Sequence, residues 1–190
     1  GFQFGGWTFH YFDDETGAAL FDVFAKPFDL LLGRKTYDIF AAHWPNAGAD
    51  DPIANLFNNV TKYVATRRGA KLDWNNSQSL GNDVVSAIKE LKKGEGPDLL
   101  IQGSSDLLQT LLHHGLIDEY SLLIFPLVLG GGKTLFGSGA VPAAMKLLRT
   151  KISPTGVIMA TYEPAGEVRT GSFALQEPSE QEIERRSRLE

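Results

Sequence analysis

Leu30-Leu31-Leu32-Gly33-Arg34-Lys35-Thr36-Tyr37 and Leu99-Leu100-Ile101-Gln102-Gly103-Ser104-Ser105-Asp106-Leu107-Leu108 share one construction. In each, a short apolar run stops at a single glycine and a helical pattern begins at once, with donors (Arg34, Lys35, Thr36; Ser104, Ser105) crowded into its first turn. Glycine lets the backbone come close to a ligand, and the unpaired N–H groups of a helix start favour an anion. Taken alone, either stretch also reads as an ordinary strand-to-helix turn of an α/β protein. Repetition of the design within one chain shifts the weight towards a ligand with more than one phosphate.

Working outward, the chain alternates strand and helix. Ahead of Gly33, residues 15–28 carry Leu20, Phe21, Val23, Phe24 and Phe28 at near-helical spacing, with Pro27 marking the end. A helix over 34–42, a Trp44-Pro45 break and a short Asp51-Pro52 helix follow. Then come a strand over 62–66, a turn at Arg67-Arg68-Gly69, a short strand over 77–80 and an Asn82-capped helix running to Lys93. A strand over 98–102 and a helix over 104–114, closed by Gly115, complete the series. This alternation predicts parallel strands with helices on both faces.

After Asp118 the rhythm changes. Apolar runs over 120–129, 146–152 and 157–162 read as strands, the last two joined by a Ser153-Pro154-Thr155-Gly156 hairpin turn. The sheet is therefore expected to be mixed: mostly parallel, with an antiparallel C-terminal hairpin. A further edge strand over 171–175 and a charged tail or solvated helix over 177–190 are expected, with residues 1–176 forming one domain.

The 190 residues are 43% hydrophobic and 11% aromatic, a globular composition, and no run approaches the roughly 18 apolar residues a bilayer span needs. A soluble protein is expected. Cysteine is absent, which excludes disulfides, zinc–thiolate sites and thiol nucleophiles and leans towards a reducing cytoplasm. A net charge of −5 argues against a nucleic-acid surface, and the opening Gly1-Phe2-Gln3-Phe4-Gly5-Gly6-Trp7 has no basic region or long apolar run to serve as a targeting signal. His113 and His114 are adjacent on a helix and cannot chelate one metal, while His10 and His43 stand alone; no metal is expected.

Three other motifs bear on chemistry. Thr66-Arg67-Arg68 ends a strand, where paired guanidiniums suit a phosphate ester on a nucleotide ribose; the competing reading is a solvated turn. Gly130-Gly131-Gly132-Lys133-Thr134 is not a nucleotide-hydrolysing loop, because leucine stands at 127 where that pattern requires glycine. Its glycines instead let a loop pass close to a ligand or a subunit partner. Asp13-Asp14-Glu15 reads either as a general acid or as charge complementation of a helix start, worth about 0.3 to 1 kcal/mol.

Together these residues resemble a known group. The segment from Phe28 through Gly33-Arg34-Lys35-Thr36 to Trp44-Pro45 is similar to the Gly-Arg-x-Thr region of dihydrofolate reductase-like proteins. Leu100-Ile101-Gln102-Gly103-Ser104 with Leu107 resembles their second glycine cradle, and the stretch from Leu116-Ile117-Asp118-Glu119-Tyr120 to Gly130 resembles the strand and loop after it. The likeness covers nearly the whole chain. It is greatest to bacterial proteins related to the reductase domain of riboflavin biosynthesis, which acts as a 5-amino-6-(5-phosphoribosylamino)uracil reductase.

That resemblance implies a three-layer α/β/α dihydrofolate reductase-like fold, NADPH as reductant and a homodimer. By position, Gly33, Arg34, Lys35 and Thr36 would hold the pyrophosphate from one side and Gly103, Ser104, Ser105, Asp106 and Leu107 from the other. Thr66, Arg67 and Arg68 would take the adenosine 2′-phosphate, and Trp44, Pro126 and Gly130 would line the substrate side. The family places a buried strand and a substrate-facing loop ahead of the segment that opens this chain. Its folate reductases carry an acid on the helix before Gly-Arg-x-Thr; here the corresponding position falls at Thr16-Gly17, leaving Asp14 or Glu15 as the candidate proton donor. The expectation is an NADPH-dependent reductase of a pterin-like or pyrimidine-like heterocycle. The alternative is an NADP(H)-binding protein without turnover, a sensor or a structural dimer.

Overall fold

The computed structural model describes residues 3–48, 50–137, 140–171 and 177–188. The strand expected over 171–175 lies outside the described residues, Gly171 excepted. Helix α1 (Asp14–Val23) leads into β1 (Phe28–Gly33), which runs directly into α2 (Arg34–His43). After a 3-10 turn at Trp44–Asn46 come α3 (Pro52–Asn59), β2 (Lys62–Ala65) and β3 (Ser77–Ser79). Helix α4 (Val84–Lys93), β4 (Asp98–Leu100) and α5 (Ser105–His113) close this part. The remainder is β5 (Tyr120–Ile124), β6 (Met145–Ile152), β7 (Ile158–Pro164) and α6 (Glu180–Ser187). Among the described residues, no helix is long and apolar enough to cross a membrane.

The apolar run Leu30-Leu31-Leu32 makes β1 the central strand of a parallel sheet ordered β3-β2-β1-β4. Its register sets Leu32 beside Val64 on β2 and Leu30 beside Leu100 on β4. Side chains of a strand alternate between faces, so consecutive leucines need apolar cover on both. Leu30 and Leu32 join Phe24, Phe28, Tyr37, Phe57, Val64 and Trp74 under α1, α2 and α3. Leu31 joins Ile88, Leu107 and Leu111 under α4 and α5 on the opposite face. The result is the three-layer α/β/α arrangement expected.

The C-terminal strands form an antiparallel ladder ordered β5-β7-β6, with a bulge between Leu147 and Arg149. The Ser153–Gly156 turn is the expected hairpin, closed by Gly156 N–H donating to Ser153 O at 2.9 Å, with Gly156 at φ 86°. Parallel and antiparallel parts are thus both present, as two ladders with no rung between β4 and β5 among the described residues.

Four boundaries differ from the sequence reading. Helix α1 ends at Val23 rather than near Pro27, because Phe24 and Phe28 turn into the core and Phe28 already opens β1. Strand β5 ends at Ile124 instead of 129: its partner β7 begins opposite at Ile158, and Pro126 has no N–H to continue a ladder. Strand β4 stops at Leu100, ahead of the left-handed residues Gly103 and Ser104. Helix α4 is capped by Asp83, whose carboxylate accepts from Ser86 N–H at 3.0 Å, and Asn82 accepts from Arg68 N–H instead.

Candidate functional site

In a parallel sheet the helices that follow β1, β3 and β4 all begin at the rim formed by the strands' C-terminal ends. There the two glycine corners meet. A Cβ added to Gly33 would lie 1.7 Å from Ser104 Oγ and 2.9 Å from Ser104 Cβ, so the start of α2 is in contact with the start of α5. Gly33 has φ −74°, which any residue adopts; the glycine is required by closeness alone. On the facing corner the backbone turns sharply, with Gly103 at φ 90° and Ser104 at φ 67°. A non-glycine residue in that region is uncommon and marks a constrained backbone.

The helix starts differ in how their free N–H groups are met. Asp13 caps α1, Asp51 caps α3, Asp83 caps α4 and Ser179 caps α6, each through a side-chain oxygen. Gly33 and Ser104, at the starts of α2 and α5, supply no such bond. The unpaired donors of two neighbouring helices therefore open on one corner of the rim, the local condition for holding a group with two phosphates.

Around that corner stand cations. Arg34, the first residue of α2, lies 2.9 Å from Asp38 one turn on, and this partner raises its pKa. Its Nη1 also donates to Lys71 O at 3.0 Å, fastening the loop after β2. Lys35 is exposed, as are Arg67 and Arg68 beyond the end of β2. Among the described residues neither of those arginines has an ionic partner. Their turn is held by its backbone: Ser79 Oγ donates to Thr66 O at 3.0 Å, and Arg68 N–H reaches Asn82 Oδ1. On α5, Leu107 is buried against the sheet while Asp106 faces outward in the first turn.

The three residues expected on the substrate side fall in two places. Pro126 packs on the C-terminal hairpin, its Cγ 3.5 Å from where a Cβ on Gly156 would sit, and Gly130 follows it in an exposed loop at φ 68°. Trp44 lies in the aromatic cluster of the first core, its indole 5.1 Å from the Phe57 ring and 6.1 Å from Phe40. Its Nε1 is buried without an acceptor.

The acidic run before α1 is largely engaged. Asp13 Oδ1 accepts from Thr16 N–H at 2.9 Å and from Thr16 Oγ1 at 2.7 Å, and its Oδ2 meets Thr155 Oγ1 at 3.0 Å. The Thr16 N–H bond is the chief reason its carboxyl titrates far below the usual range, so Asp13 is a fixed acceptor and not a proton donor. Glu15 pairs with Lys151 at 3.0 Å, whereas Asp14 is exposed at the first position of the helix. Asp13 thus staples α1 to the β6–β7 hairpin, a contact across 142 positions that no local pattern announces.

Sequence reasoning also passed over Gln109. From the middle of α5 its amide donates to Leu135 O at 2.9 Å and accepts from Gly137 N–H at 3.0 Å, fixing the far end of the glycine loop to the helix that begins at Ser105. Two shallow concavities lie elsewhere: one of about 340 Å³ beside His113 and His114, and one of about 360 Å³ between Tyr63 and Leu91. Neither includes the glycine corner.

Comparison with known proteins agrees with the fold. The family model described as the RibD C-terminal domain matches residues 9–159. The Bacillus subtilis (strain 168) protein YyaP, itself uncharacterized, is 30% identical over 136 residues, spanning 70% of this chain and 72% of that protein. A pyrimidine reductase-like protein from Corynebacterium diphtheriae superposes with a TM-score of 0.54 at 14% identity, covering 82% of this chain and 83% of its own. A diaminohydroxyphosphoribosylaminopyrimidine deaminase/5-amino-6-(5-phosphoribosylamino)uracil reductase from Thermotoga maritima gives 0.55 at 14% identity over 80% of this chain and 50% of that longer one. At these identities the solved structures speak for the fold, and the family match speaks for descent. The chain belongs to the RibD C-terminal domain family.

Proposed function

We propose that the protein is an NADPH-dependent reductase of a small heterocycle, pterin-like or resembling the pyrimidine intermediates of riboflavin synthesis, acting as a homodimer. One observation carries the cofactor assignment: the only α-helix starts among the described residues without a side-chain cap, those of α2 and α5, touch each other through Gly33 and Ser104. In this reading Gly33, Arg34, Lys35 and Thr36 hold the pyrophosphate from one side. Gly103, Ser104, Ser105, Asp106 and Leu107 hold it from the other, chiefly through backbone N–H groups. Thr66, Arg67 and Arg68 receive the 2′-phosphate, where free guanidiniums make bidentate bonds.

Bound NADPH supplies the hydride, and the chain supplies orientation and electrostatics. In this reading Pro126 and Gly130 border the substrate from the C-terminal hairpin side and Trp44 from the aromatic cluster of the first core. Of the two carboxylates proposed as proton donor, Asp14 is the freer, since Glu15 is ion-paired with Lys151. The engagement of Asp13 and Glu15 is also what favours the second reading, an NADP(H)-binding protein without turnover. The names carried by structural relatives, pyrimidine reductase-like and phosphoribosylaminouracil reductase, support a pyrimidine-type substrate.

The test is NADPH oxidation followed by absorbance with a panel of pterins and aminopyrimidines. Oxidation with one class and none with NADH in place of NADPH is the expected result. Tight NADPH binding with no oxidation across the panel would favour the non-catalytic reading, and undetectable NADPH binding by calorimetry would contradict both.

A further inference from the structure

The eleven-residue connection from Thr66 to Asn76 between β2 and β3 carries Arg67 and Arg68 yet contains neither helix nor strand. Besides the bonds that hold its turn, one buried residue near its end ties the connection to α2 and α3. Trp74 is 4% exposed. Its backbone N–H donates to Tyr37 Oη, on the cradle helix α2, at 2.9 Å, and its Nε1 donates to Asn58 Oδ1, on α3, at 2.7 Å. Below the ring sits Lys62, a lysine with no exposed surface, whose Nζ is 4.4 Å from the ring centroid. That ammonium is fixed in turn by Asn58 O at 3.0 Å and Val60 O at 2.9 Å.

A buried lysine is costly unless its charge is met, and here two carbonyls and an aromatic face meet it. Nothing in the hydride chemistry uses this group, so its retention calls for another account. The same Lys62 stands on β2 three residues before the strand ends and four before Thr66, so the seat of Trp74 and the base of the arginine turn are one rigid piece. Arg34 completes the fastening from α2 by its bond to Lys71 O.

We infer that Trp74, seated on Lys62 and Asn58, is the positioning residue that places Arg67 and Arg68 for a nucleotide 2′-phosphate, and so sets the preference for NADPH over NADH. The inference rests on the cofactor reading above. Its consequence is specific: loosening the Trp74 side chain costs affinity for the nucleotide that carries the extra phosphate and leaves the other nearly unaffected, because the backbone bond from residue 74 to Tyr37 on α2 is kept and Gly33 and Ser104, where α2 and α5 meet, do not depend on the ring.

The experiment measures Kd for NADPH and for NADH by calorimetry on the full chain as wild type, W74L, W74F and the R67A/R68A double variant. The wild type is expected to prefer NADPH, and R67A/R68A to abolish the preference. W74L is expected to raise the NADPH Kd roughly tenfold while the NADH Kd moves less than about threefold, the scale of one lost charged hydrogen bond. W74F keeps a ring over Lys62 and serves as the second variant should W74L fail to fold; lacking Nε1, it is expected to lose about threefold of the preference. Added to R67A/R68A, W74F is expected to change the ratio no further. A wild type without preference, or an R67A/R68A variant that keeps it, overturns the cofactor reading and this inference together. Loss of preference in R67A/R68A with both Trp74 variants unchanged, or weakened equally for both nucleotides, overturns the inference alone.

Discussion

Three helices begin on the same rim of the parallel sheet, and they are finished in two ways. Helix α4, after β3, is closed by Asp83, which takes up the Ser86 N–H, as a surface helix with no other duty is closed. Helices α2 and α5, after the neighbouring strands β1 and β4, have a glycine and a strained serine where a cap would stand, and those two residues touch. An uncapped helix start forgoes about 1 kcal/mol of stability, so two adjoining ones are an arrangement that an anionic ligand, and not the fold, explains. Position on the rim alone is not the signal; the absence of a cap combined with close approach of two backbones is.

The largest effect is expected where that contact is tightest. Gly33→Ala forces a methyl group into Ser104 and pushes the two corners apart, so NADPH affinity should fall about a hundredfold, equivalent to about 2.7 kcal/mol. Ser104→Gly removes both clashing atoms, and the G33A/S104G pair should recover much of the loss when affinity is measured by calorimetry. Equal affinity in G33A and wild type would mean the corner is only a turn.

A middle-sized effect is expected from Lys62, a polar group that the protein closes upon itself in contrast to the open donors of the rim. Burial lowers its pKa to about 8, against an opposing pull from the Asp29 carboxylate, while in the unfolded chain it titrates near 10.4. Between those values the folded state binds fewer protons, so stability rises with pH across the window, by on the order of 1–3 kcal/mol. Urea unfolding at pH 8 and pH 10 should show that rise in the wild type and a flatter profile in K62M.

The smallest effect belongs to the closed helix start. Asp83→Ala should cost about 1 kcal/mol in the same unfolding assay and leave nucleotide affinity unchanged. A D83A variant that weakened NADPH binding would erase the distinction between the capped and uncapped starts.

What could be read from the chain follows this contrast as well. Leu30-Leu31-Leu32 before Gly33 announced a strand buried on both faces, and the repeat of that design before Gly103 announced its neighbour, because both signals are local. Asn82 and Asp83 are equally good caps by type; the choice between them was made by Arg68 N–H, which takes Asn82 from a turn fourteen residues away. The length of β5 was overread because Leu127, Val128 and Leu129 are apolar, yet Val128 is 98% exposed and β7 offers no partner beyond Ile158. The tie of Asp13 to Thr155 and the contacts of Gln109 and Trp74 were not legible for one reason: each runs to residues 16 to 142 positions away, and a single sequence carries no trace of such pairings. Features defined by local backbone were legible, and those defined by tertiary contact were not.

The most direct test is a crystal structure of the protein grown with NADPH. The account predicts pyrophosphate density between the N–H groups that open α2 and α5, beside Gly33 and Gly103, with the 2′-phosphate against Arg67 and Arg68. Nucleotide bound elsewhere on the rim, or against one helix start only, would contradict it.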